Sequence, residues 1–60
     1  MKYEPMDVAS GLRIAASDAR VAAHAAGSRG DTTAAVVARD LADKFDAQAE
    51  RYEAQAEVTA

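Results

Sequence analysis

The chain has 60 residues, half of them apolar, with seven Lys/Arg against ten Asp/Glu for a net charge of −3. Sixty residues build one small domain at most, with no room for a catalytic domain beside a substrate domain. The lack of cysteine excludes a disulfide framework and a thiolate metal site, and no apolar run approaches the roughly 20 residues of a membrane span.

Alanine alone supplies 17 residues. Ala, Gly, Arg and Pro together number 26, against 8 for Phe, Tyr, Met, Ile, Asn and Lys. That skew points to a GC-rich genome, such as an actinobacterium or its phage. Mutational bias inflates alanine by itself, so only the positions of the alanines carry information.

The opening Met1-Lys2-Tyr3-Glu4-Pro5 lacks the apolar stretch of a signal peptide, and a soluble, cytoplasmic protein is expected. Pro5 suits a first helical position, and Asp7 lies where the helix dipole favours an anion. Helix one is predicted over about residues 5–26. Gly27-Ser28-Arg29-Gly30 is the loop signal, with Gly27 placed to end the helix in a left-handed conformation and Ser28 beyond it. Asp31 or Thr32 supplies an N-cap, and helix two is predicted over about residues 32–58. So short a connection, about residues 27–31, makes the helices antiparallel neighbours. The expected fold is all-α: one antiparallel two-helix hairpin over residues 1–60, self-associating into a four-helix bundle or similar.

On helix one, Ala9, Leu12, Ala16, Ala19, Ala23 and Ala26 repeat at spacings of 3 and 4, a heptad stripe made mostly of alanine. Val8, Ala15 and Ala22 flank it. Ile14 and Val21 point almost opposite, so helix one carries two apolar faces. On helix two, Ala35, Ala38, Ala42, Phe45, Ala49, Tyr52 and Ala56 form one stripe, widened by Leu41. Small seam residues let helix backbones approach closely. A hairpin offers helix one a single partner, so its second face calls for another chain. Ile14, Val21 and Leu12 are the candidate dimer interface, and the working unit is expected to be a homodimer or larger.

Between the two apolar faces of helix one runs a basic strip of Arg13, Arg20 and His24, with Ser10 and Ser17 among them. Two arginines and a histidine are thin for nucleic acid, whose affinity scales with the phosphates neutralised. Pairing with carboxylates of a neighbouring helix is the plainer use. Ser17 lies about 10 Å along the axis from His24, too far for a nucleophile–base hydrogen bond, so no catalytic residue is assigned. On helix two, Asp43, Asp46, Glu50, Glu53 and Glu57 form an acidic stripe at spacings of 3 and 4. It reads as a solvated face, with a basic partner as its functional alternative. The residue three before His24 is Val21, so the Glu-x-x-His pair of bundle di-metal sites is missing, and neither metal nor cofactor is expected.

In length, loop position and small-residue heptads the chain resembles the Rop-type plasmid proteins, whose two-helix chains pair into a four-helix bundle. The resemblance implies such pairing and places no RNA-contacting residues on helix one. The expected function is that of a small protein–protein interaction module, acting as a homo-oligomer on an unidentified protein partner and not as an enzyme. The alternative is a dimeric nucleic-acid-binding regulator using Arg13, Arg20 and His24. No membrane contact is expected.

Overall fold

The computed structural model describes residues 4–59; the reading of the chain start at Met1–Tyr3 lies outside them. The described residues form two α-helices, α1 (Pro5–Ser28) and α2 (Thr32–Thr59), packed against each other as a hairpin measuring 45 × 18 × 14 Å. Neither helix is long and apolar enough to cross a membrane.

Each helix boundary has a local cause. Pro5 opens α1, where its missing N–H costs nothing, and the Glu4 carbonyl accepts from the Asp7 and Val8 amides at 3.0 and 3.2 Å. The far end corrects the sequence expectation. Gly27 and Ser28 are helical, and it is Gly30 that takes the left-handed conformation, with φ +79°. The Gly30 amide donates to the Gly27 carbonyl at 3.0 Å and the Asp31 amide to the Ala26 carbonyl at 2.9 Å. That pair of bonds is a Schellman motif, and it satisfies carbonyls the helix leaves open. Both glycines could fill the left-handed position; placing it at Gly30 adds two residues to α1 and puts Asp31 one residue before α2. There the Asp31 carboxylate accepts from the Ala34 amide at 3.1 Å, the N-cap bond.

This arrangement makes the two glycines respond oppositely to alanine. A Cβ at either would meet open space, so backbone conformation decides. Gly30→Ala is expected to lower stability by about 1 kcal/mol, whereas Gly27→Ala raises it by up to about 1 kcal/mol. Urea unfolding of the two variants checks this, and a destabilised Gly27→Ala with a neutral Gly30→Ala would place the cap at the wrong glycine.

The seam between the helices is alanine. Ala9, Ala16, Ala19, Ala23 and Ala26 of α1 and Ala35, Ala42 and Ala49 of α2 are the buried residues, each at most 9% exposed. Leu12, Ala38, Phe45 and Ala56 are half-buried along the same line, and Phe45 packs on Ala16, Ala19 and Ala42. Alanines off the heptad positions, at Ala25, Ala47 and Ala54, are exposed. Position therefore separates packed alanines from those that composition alone explains. The larger apolar side chains are left outside: Ile14, Val21, Val36, Val37 and Leu41 are all exposed.

Candidate functional site

The basic strip and the acidic stripe meet. At about 100° per residue, Arg13 and Arg20 lie on one side of the α1 seam, and Asp43, Asp46 and Glu53 lie on the corresponding side of α2. Because the helices are antiparallel, those two sides fall on the same broad flank of the hairpin. Arg13 reaches across with Nη1 donating to Asp46 Oδ1 at 3.0 Å, Nη2 to Glu53 Oε1 at 2.8 Å and Nε to Glu53 Oε2 at 3.4 Å. The Glu53 contact is thus forked, the geometry that suits a guanidinium best. Arg20 donates from Nη2 to Asp46 Oδ2 at 2.6 Å and to Asp43 Oδ1 at 3.3 Å. Asp46 sits between the two arginines, with its side chain 24% exposed.

Hydrogen bonds from Arg20, then from Arg13, hold the Asp46 carboxyl below the usual aspartate range against the opposing push of desolvation. Both guanidinium groups are held above their ordinary value, Arg13 chiefly by its bonds to Glu53 and Arg20 chiefly by its bond to Asp46. A depressed folded-state pKa stabilises the fold above the unfolded value, about 3.9 for aspartate. That contribution is lost as pH falls through the lower folded value. The melting temperature of the wild type is therefore expected to fall more steeply below about pH 4 than that of Asp46→Asn. Parallel thermal melts through that range check it, and identical pH profiles would mean that Asp46 contributes nothing to the pH dependence.

The remaining sequence candidates are placed as follows. His24 lies in an open groove with Arg13, Ser17, Arg20, Val21 and Asp46. Ser28, expected in the loop, is instead in the last turn of α1, where its hydroxyl donates to the backbone carbonyl of His24 at 3.0 Å and not to the ring. Glu50 and Glu57 are exposed further along the acidic stripe. Among the described residues no cluster of three or more His, Cys, Asp or Glu is arranged to hold a metal ion. Ile14 and Val21 stand 64% and 67% exposed on the outer edge of α1, facing away from α2, while Leu12 is half-buried in the seam.

Comparison of the chain with protein-family models, with curated proteins and with solved structures returned no match. The charges of the site are mutually satisfied across the hairpin, and its apolar surface is not. The arginines face carboxylates of their own chain, an arrangement that orients α1 on α2 and leaves fewer positive charges for a phosphate backbone. Sequence reasoning did not find the side of the hairpin opposite this ladder. That side carries half-buried Val8, Ala15, Ala34 and Phe45 and exposed Leu41 and Tyr52. The signal was present in Val8, Ala15 and Leu41 beside the heptads.

Proposed function

We propose that this chain is a small self-associating helical hairpin that serves as a protein–protein interaction module. One observation carries the reading: among the described residues those that are buried are all alanines, while the larger apolar side chains lie half-buried or exposed. An alanine methyl contributes less than about 1 kcal/mol on burial, whereas ordering each residue costs roughly 1.5 kcal/mol. A seam of alanines therefore needs further burial before the helices persist, and a second protein surface supplies it. Two apolar surfaces are available, the Ile14/Val21 edge of α1 and the flank that carries Leu41, Phe45 and Tyr52. Exposed patches of this kind mark interaction sites in small proteins.

The reading is tested by light scattering on the full chain, followed by affinity capture from a GC-rich bacterial host with and without nuclease. A mass of at least a dimer and protein capture that survives nuclease are the expected results. Monomeric mass at every concentration would overturn the reading. Capture that nuclease abolishes, with steep salt dependence on immobilised RNA or DNA, would replace it with nucleic-acid binding through Arg13, Arg20 and His24.

A further inference from the structure

Two packed helices present two broad flanks and two narrow edges. One flank carries the Arg13–Asp46–Arg20 ladder, closed on itself by hydrogen bonds of 2.6–3.0 Å. Helical geometry, about 100° per residue, sets the opposite flank: Val8 and Ala15 from α1, and Val37, Leu41, Phe45 and Tyr52 from α2. Val8, Ala15 and Phe45 are half-buried, and Tyr52, Leu41 and Val37 are 37%, 45% and 62% exposed. Apolar side chains half-buried beside the seam and exposed beyond it, all on one side, are the pattern of a core with one wall missing.

We infer that the missing wall is a second copy of this chain, docked flank to flank so that four helices enclose the Leu41/Phe45/Tyr52 side chains. The inference rests on the self-association reading and deepens it by naming the surface. Seam composition, size and symmetry support it. The buried seam is made of alanines, whose methyls each contribute less than about 1 kcal/mol, so a cover that adds burial strengthens the fold. A second copy is the one occupant that always accompanies the chain. The outline of the broad face, 45 × 18 Å, leaves room for a contact on the scale of the roughly 800 Å² each partner buries in a standard interface. Finally, a two-fold contact buries the same patch on both copies, so the apolar flanks match each other and both charged ladders stay in water.

The Ile14/Val21 edge is one helix wide and lies outside this contact. On this account it remains exposed in the dimer. Cysteine accessibility separates the surfaces, because the chain has no cysteine of its own. Leu41→Cys and Ile14→Cys are prepared in the full chain, and each is reacted with a soluble thiol reagent at concentrations where light scattering shows the dimer. Leu41→Cys is expected to react about tenfold or more slowly than the same variant diluted to monomer, while Ile14→Cys reacts freely in the dimer. Protection at Ile14 with Leu41 open overturns the inference and leaves self-association standing, now through the edge. A wild-type chain that never exceeds monomer mass overturns both. Should Leu41→Cys fail to fold, Tyr52→Cys on the same flank is expected to give the same protection, and free reaction there counts against the inference.

Discussion

Ala42→Leu is expected to destabilise the protein by about 1–3 kcal/mol, the usual cost of forcing a larger side chain into a packed site. Ala42 has no exposed surface and lies against Ala16, Ala19 and Phe45 in the middle of the seam. Leucine there must either adopt a strained rotamer or push the helices apart. Helix propensity does not cloud the result, because leucine and alanine are both strong helix formers. Ala47→Leu, one and a half turns away on exposed surface, is the control and should stay within about 0.5 kcal/mol of wild type. Denaturant midpoints of the two variants decide the matter. Equal effects would mean that α1 and α2 do not pack through the alanines.

Phe45→Ala should cost more. Phe45 packs on the buried Ala16, Ala19 and Ala42, and one hairpin covers it only in part. Full burial of phenylalanine makes truncation to alanine cost about 3–5 kcal/mol, and partial burial correspondingly less. If a second copy closes over the flank, Phe45 behaves as a core residue: the loss reaches at least about 3 kcal/mol and the mass at a given concentration falls with it. A loss of about half that size, with the mass unchanged, would show that one hairpin is the whole of its environment.

Much of the fold was legible because heptad spacing is a geometric statement. Alanines at spacings of 3 and 4 line the seam, and those off it are exposed, whatever bias raised their number. Pro5 was legible for a related reason, and the cap of α2 was narrowed to Asp31 or Thr32, since proline at a first turn and a short polar side chain at an N-cap each meet a defined backbone need. The end of α1 was expected at Gly27 and lies beyond it, because Gly27 and Gly30 are equally free to turn left-handed. What chose between them was the Schellman bonding that leaves Asp31 in position to cap α2. The acidic stripe and the basic strip were each visible on their own helix. Their meeting depends on the rotation of α1 against α2, which no single-helix pattern contains. The same rotation defines the apolar flank, so the sequence drew attention to Ile14 and Val21, directly opposite the seam, before Leu41 and Tyr52 at its side.

Self-association, as proposed, makes folding and assembly one event in this chain. The direct test is far-ultraviolet circular dichroism across a dilution series, with mass measured by light scattering on the same samples. Helix content and mass should fall together on dilution, and the melting temperature should rise with protein concentration. Full helix content in a sample of monomer mass, melting at a temperature independent of concentration, would contradict the account.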